Sequence, residues 1–430
     1  MMRYSILNRL GSAAGRAAGL ILTALALVSA GTLSAQVLRH ETTTLNIEVP
    51  VRVFKGDRFV DDLTISDFEV YEDGRLQSLD AVYLVRKTAI ERREETMPFL
   101  PDTKRHFYLD FELSEYDPKI RRALEYFFDE VLLPGDELAV ITPMRTYRMK
   151  SDIFIRAGRD RALEQLLGIL RRDILTGGAE YRDVLDDMRS LALTMVGAVG
   201  MSRTNAESPM AADIFVSAGS IFEISTSVEE QLQMYSTCLS RLESLRKVDQ
   251  AQLIAFADHL RGQSGRKEIF LFYQREFIPK LDPAVLDAYM STFNDRPDIV
   301  QTVTGIFEFF HRETPLDIEA AKTAYADSGA AIHFLFLTRP APKVPGVTMQ
   351  EQSEDIFAPF REMSRATGGY IASTANLDAA MRSAVAASEN YYLLYYTPKT
   401  YERDGRFRRL EVRVKSGGYR LSHRLGYIAD

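Results

Sequence analysis

The 430-residue chain has one cysteine, Cys238, no tryptophan and six histidines. A lone thiol excludes an internal disulfide and any thiolate metal cluster. It stands in a helical apolar pattern, where a thiol packs as a small hydrophobe. His40, His106, His259, His311, His333 and His423 are widely separated and form no paired metal motif. His106 and His333 fall inside apolar runs, the setting of satisfied core histidines. The chain also lacks HExxH, G-x-S-x-G, a Walker loop and G-x-G-x-x-G, so the familiar hydrolase and nucleotide-binding signatures are missing. The nearest approach, Gly262-Gln263-Ser264-Gly265, lacks the elbow spacing and reads as a helix-to-strand turn. Excess positive charge is lacking too. The formal charge is -7, and Arg92-Arg93, Arg171-Arg172 and Arg408-Arg409 are short, scattered basic pairs. Neither nucleic acid nor an anionic membrane is therefore an expected partner.

What is present is ordinary globular composition, 46% hydrophobic and 26% charged, in a length suited to two or three domains. Residues 1–35 read as a secretory signal. Arg3, Arg9 and Arg16 precede the apolar run Ala17–Ala30, and small residues lead to a cleavage point after Ala35. Removing those three charges takes the formal charge from -7 to -10. No later apolar run reaches about 18 residues, so no integral membrane segment is expected after cleavage. The expected location is the periplasm or the exterior of the cell.

Leu45, Ile47, Val49, Val51 and Val53 alternate with polar residues, Asp73-Gly74 signals a hairpin turn, and Leu79–Val85 supplies another strand. Residues 36–88 are thus expected to form a small β module. Residues 89–104, charged and Pro-containing, read as a linker. Over 105–390, apolar runs at His106–Leu109, Glu137–Thr142, Glu268–Tyr273 and Ala330–Leu337 alternate with helical patterns. That alternation predicts an α/β domain with a Rossmann-like, doubly wound, mostly parallel sheet. Val228–Arg261 reads as one long amphipathic helix packed on the sheet, a coiled-coil arm being the alternative. Residues 391–430 return to strand alternation as an antiparallel β segment, pairing with either the main sheet or the N-terminal module. Its Tyr391, Tyr392, Tyr395 and Tyr396 read as one buried strand, or else as a tyrosine-rich recognition surface.

The stretch Arg105–Pro118 stands at the centre of this organisation. An apolar strand ends in Asp110, Glu112, Ser114, Glu115 and Asp117 just before a helical pattern. Open α/β sheets place ligand sites at such strand ends. Asp117-Pro118 also fits a helix N-cap followed by proline at the first turn.

In order, the segments DFEVYEDG (67–74), RHFYLDFELS (105–114), LLPGDELAVIT (132–142), GRKEIFLF (265–272), FREMSRATGGY (360–370), YYLLYYTPK (391–399) and FRRLEVRVK (407–415) form a pattern. It resembles bacterial exported proteins with a domain related to the von Willebrand factor A domain. The resemblance implies a von Willebrand factor A-like fold with a metal-ion-dependent adhesion site, in which an Asp-x-Ser-x-Ser run, a later Thr and a later Asp hold Mg²⁺. Asp110 matches the first Asp and Ser114 the second Ser, whereas Glu112 replaces the first Ser. No Thr follows Gly177-Gly178, and Gln274-Arg275-Glu276 replaces the later Asp. The implied site is degenerate. Asp110, Glu112 and Ser114, completed by Glu276 or Glu180, are its candidate ligands for Mg²⁺ or another divalent cation. The competing reading is that no cofactor binds and these groups cap the following helix and tie loops.

The function expected is a non-enzymatic, adhesion-type module that binds a protein partner in the bacterial envelope. Two alternatives stand beside it: a hydrolase with an acidic site at Asp110, Glu112 and Glu276, and a structural component assembled through the 228–261 helix.

Overall fold

The computed structural model describes residues 46–150, 158–203, 227–309, 316–344, 347–351 and 353–430. The expected signal at 1–35 lies outside them. β-Branched alternation builds strand β1 (Ile47–Lys55), which pairs briefly with β2 (Arg58–Phe59). Strands β3 (Phe68–Glu72) and β4 (Arg75–Gln77) are joined by Asp73 and Gly74, both at positive φ (47° and 77°). An Asp-Gly pair supplies that hairpin geometry at low cost. Strands β5 (Leu79–Arg86) and β6 (Ala89–Glu95) form the next antiparallel pair. β6 occupies the first seven residues of the expected linker, its charged alternation being that of a protected edge strand rather than of a connector.

The chain then builds a second unit. Strand β7 (Arg105–Glu112) leads into helix α1 (Ile120–Tyr126), and β8 (Glu137–Ile141) and β9 (Thr146–Lys150) follow. Helices α2 (Arg159–Gly177) and α3 (Ala179–Arg203) are separated at Gly178. Helices α4 (Val228–Arg246) and α5 (Gln250–Arg261) precede strands β10 (Arg266–Gln274) and β11 (Phe277–Leu281). Helices α6 (Pro283–Thr292), α7 (Pro297–Phe309) and α8 (Ile318–Asp327) come next, then β12 (Ala330–Leu337) and β13 (Val347–Glu351). Helix α9 (Glu354–Ala366), strand β14 (Ile371–Thr374) and helix α10 (Leu377–Glu389) complete the unit.

The last strands are β15 (Asn390–Tyr396), β16 (Phe407–Val414), β17 (Arg420–His423) and β18 (Gly426–Ile428). They return to the beginning of the chain. β15 inserts between β1 and β5 in a sheet ordered β17-β1-β15-β5-β6, and β16 pairs with β3 in a sheet ordered β18-β16-β3-β4. Val49, Val51, Val53, Phe68, Val70, Tyr392, Leu394 and Val412 fill the space between these two sheets.

These pairings correct the expected architecture. Three of the four sheets are antiparallel throughout, the larger curling into a half-barrel, and the sheet β14-β12-β10-β7-β8-β9 is mixed because β9 runs antiparallel to β8. The chain is therefore not a Rossmann-like, doubly wound, mostly parallel (von Willebrand factor A-like) sheet with separate β pieces at its ends. The alternation of strand and helix patterns does not reveal which strands pair. The N- and C-terminal β segments are halves of one antiparallel body.

A second correction concerns the long helix. It is two helices broken at Lys247–Asp249, and the Asp249 side chain accepts the Gln252 N–H to start α5. Leu232, Tyr235, Leu239 and Leu242 of α4 pack with α3, α6, α7 and β11, whereas Leu253, Phe256 and Leu260 of α5 pack on the mixed sheet. No helix among the described residues is long and apolar enough to cross a membrane.

Candidate functional site

Strand β7 is central in the mixed sheet, with β8 on one side and β10 on the other. Alternation sends Phe107, Leu109 and Phe111 to the layer formed with α1, α2 and α10. Tyr108, Asp110 and Glu112 take the opposite face. Asp110 and Glu112 are each 4% exposed. Asp110 lines a small cavity of about 20 Å³ whose other walls are Leu253, Phe256, Ile269, Leu271, Tyr325, Ile332, Phe360 and Met363. Its Oδ1 has no hydrogen-bond partner among the described residues. Burial first, then the charge and hydrogen bond of Glu112, push the Asp110 carboxyl well above its ordinary range. The charge of one buried carboxyl thus opposes ionisation of the other.

Ser114 lies just past the strand end. Its Oγ donates to Gln274 Oε1 (3.2 Å), the same oxygen that accepts the Glu115 N–H (3.1 Å). Arg182 Nη1 donates to the Ser114 carbonyl at 2.5 Å, and its Nη2 donates to the Leu175 carbonyl. Gly178 makes room for this arrangement, since a Cβ there would meet both Arg182 Nη1 and the Ser114 carbonyl at 2.5 Å. Glu276 is already paired. Its carboxylate takes Arg246 Nε at 2.6 Å, and its N–H donates to Ser353 Oγ at 3.0 Å. Glu180 is exposed and pairs with Arg241 at 3.0 Å. Around the same edge Arg339 pairs with Glu115 and Arg275 with Glu351.

The four candidate ligands therefore divide. Asp110 and Glu112 face a dry interior, Ser114 is spent on Gln274, and Glu276 is held in an ion pair by Arg246. A Mg²⁺ ion takes six oxygens in near-octahedral array. Among the described residues no three His, Cys, Asp or Glu side chains converge in that way. As arranged, these residues do not fit the ion that the sequence resemblance implies. Asp117 acts locally instead, accepting the Lys119 N–H at 2.9 Å ahead of α1.

Arg182 has no place in the sequence reading of the site, and Gly178 and Gln274 enter it only where an expected ligand is missing. The signal for them was the Gly177-Gly178 break itself, which demands a close neighbour, with Arg182 one helical turn later.

A second buried cluster joins the mixed sheet to the antiparallel body. Glu268 of β10 accepts Arg52 Nη2 (3.1 Å) and Arg266 Nη2 (2.9 Å) on one oxygen and His333 Nε2 (2.7 Å) on the other. His333 Nδ1 accepts the Tyr370 N–H (3.1 Å), which fixes the neutral ring with its proton on Nε2. Arg52 also donates to the Gly368 carbonyl (2.6 Å), and Arg266 lies over the Tyr391 ring at 4.6 Å. Burial alone would raise the Glu268 carboxyl, but Arg52 and Arg266 outweigh it and hold the group down at about 2. The tyrosines of β15 are consumed in the same body. Tyr395 donates to Glu48 and Tyr396 to Glu72, each at 2.5 Å, while Tyr392 donates to the Val60 carbonyl at 3.0 Å. They form a buried strand and no recognition surface.

No known family model matches the chain, and no curated protein matches it. Among solved structures, the human COPII-coat protein Sec24c aligns over 77% of this chain at 8% identity, with a TM-score of 0.27. The chain spans 44% of the length of that structure's chain. A likeness at that level carries no argument about fold or function.

Proposed function

We propose that the chain is a non-enzymatic protein-binding module of the adhesion type, exported to the bacterial envelope and working with a degenerate, cation-free site. The observation that carries this reading is the condition of the strand-end acids. Asp110 and Glu112 are both buried, Asp110 against an apolar cavity, while Arg182, Gln274 and the Arg339–Glu115 pair tie down the loop above them. Such an edge presents a fixed surface of arginines and loops, as binding surfaces on α/β sheets do. The location rests on the signal-like residues 1–35 and on the sequence resemblance to exported bacterial proteins.

The hydrolase alternative needs Asp110, Glu112 and Glu276 around one substrate, and the separation of Glu276 onto Arg246 speaks against it. The assembly alternative needs an unpartnered apolar face on 228–261, yet those leucines are buried within the chain. The test pairs two assays on the purified chain. One is saturable capture of a partner from an exported-protein fraction, and the other is a panel of ester, phosphoester, glycoside and peptide substrates. A saturable partner without turnover supports the reading. Hydrolysis that is lost in Glu112→Gln would overturn it.

A further inference from the structure

We infer that the loop between β7 and α1 is the centre of a basic patch that takes an acidic segment of a partner protein, its carboxylates met directly by guanidinium and ammonium groups. The inference rests on the protein-binding reading and names the partner's chemistry.

The chain is acidic overall, at -7, so a local excess of positive charge is itself informative. Four cations stand around residues 113–119, whose own acids are Glu115, paired with Arg339, and Asp117, which accepts the Lys119 N–H. Arg182 holds the start of the loop through the Ser114 carbonyl and lies half-buried, bonded to two main-chain carbonyls. Lys119 closes the loop and donates to the Ala375 carbonyl at 3.3 Å. Arg122 follows one helical turn into α1, exposed. Arg171 is exposed, and its charge acts on Tyr116 in the middle of the loop, where burial raises the phenol, Arg121 and Arg171 oppose the rise, and Asp117 and Glu164 add to it. Among the described residues none of Lys119, Arg122, Arg171 and Arg182 has a carboxylate partner. Arg121, by contrast, is neutralised by Glu164.

Lys119 and Arg122 also form one wall of an open cleft of about 380 Å³, closed on the far side by Thr374, Ala375, Asn376 and Asp378. Asp378 is occupied by Arg382 at 3.0 Å and does not cancel the cations opposite. The cleft lies between the N-terminal ends of α1 and α10, on the edge of the mixed sheet reached by the loops after β7 and β14. A peptide segment carrying spaced Asp or Glu side chains matches this surface in size and charge. Arg182, bonded to two main-chain carbonyls, fixes the loop, while Lys119, Arg122 and Arg171 are rim charges that meet the carboxylates and steer association.

The test is fluorescence anisotropy of the purified chain, in EDTA, with a labelled peptide of alternating Glu and Ser, its Gln-for-Glu counterpart and a single-stranded oligonucleotide. The expected result is binding to the Glu peptide only, weakening steeply with salt. Lys119→Gln combined with Arg122→Gln is expected to weaken it about tenfold. Arg182→Gln is expected to do the same. Because Arg182 also braces the loop, the exposed pair is the arm that does not depend on folding. Equal binding of the Gln peptide or of the oligonucleotide would overturn the inference, as would unchanged affinity in the Lys119/Arg122 variant. A captured natural partner that binds this variant as well as the parent overturns the acidic-segment inference alone. Failure to capture any partner overturns the reading beneath it.

Discussion

Glu268 shows how one carboxylate governs the joint between the two bodies of the fold. Its folded-state value of about 2 lies below the ordinary 4.5. The stability it contributes is therefore present above pH 4.5 and lost as pH falls from there toward 2. Glu268→Gln leaves Arg52 and Arg266 buried without their anion and is expected to cost about 3–5 kcal/mol at pH 7. Urea unfolding as a function of pH checks this, and the difference from the parent should shrink toward pH 2. Asp110 has the opposite sign. Its value is raised above 3.8, so its contribution is complete below pH 3.8 and is lost as pH climbs toward the folded value. Asp110→Asn removes that loss and is expected to stabilise the protein at pH 7 by on the order of 1–3 kcal/mol, with the gain vanishing near pH 4. Equal or lower stability of the variant at pH 7 would contradict the account. At this scale the sequence was partly legible. Asp110, Glu112 and Ser114 stand out as polar groups at the end of an apolar strand. Their orientation into a dry layer depends on partners from α5, α8 and α9, which no local pattern reveals. Glu268 and Arg266 within a buried strand were a signal of required partners, since buried charge needs compensation.

At the scale of elements, periodicity located strands and helices far better than it located their breaks. The apolar stripe over 228–261 continues through Lys247–Asp249, because the residues on either side are apolar at helical spacing although they serve different cores. The cap at Asp249 competes locally with helix propagation and wins. The pair Gly368-Gly369 was legible as a helix stop, but its stronger constraint is tertiary. A Cβ on Gly369 would lie 1.7 Å from the Ile332 carbonyl, and Gly368 has φ of 69°. Gly369→Ala must push the α9–β14 connection away from β12 and is expected to cost more than about 3 kcal/mol. Thermal unfolding measures this cost. A shift of less than a few degrees would mean that the close approach is not rigid.

At the scale of the whole molecule, the chain ends where it began. β15 completes the sheet started by β1 and β5, so the N-terminal β segment has no complete core until residue 396 is in place. Alternation in 391–430 made the strands visible, but pairing over more than 300 residues depends on complementary faces and not on spacing. The mixed sheet then presents its β7 strand end beside the Arg182-braced loop, and the account holds that this edge binds without a cation. The most direct measurement is the melting temperature of the purified chain in EDTA against millimolar Mg²⁺, Ca²⁺ and Mn²⁺, repeated with Asp110→Asn. A ligand that binds only the folded state raises the melting temperature once it exceeds its dissociation constant. The account predicts that no ion shifts the melting temperature of either the parent or Asp110→Asn relative to EDTA. A metal-dependent rise of roughly 5 °C or more that Asp110→Asn abolishes would contradict it and restore Asp110 as a ligand.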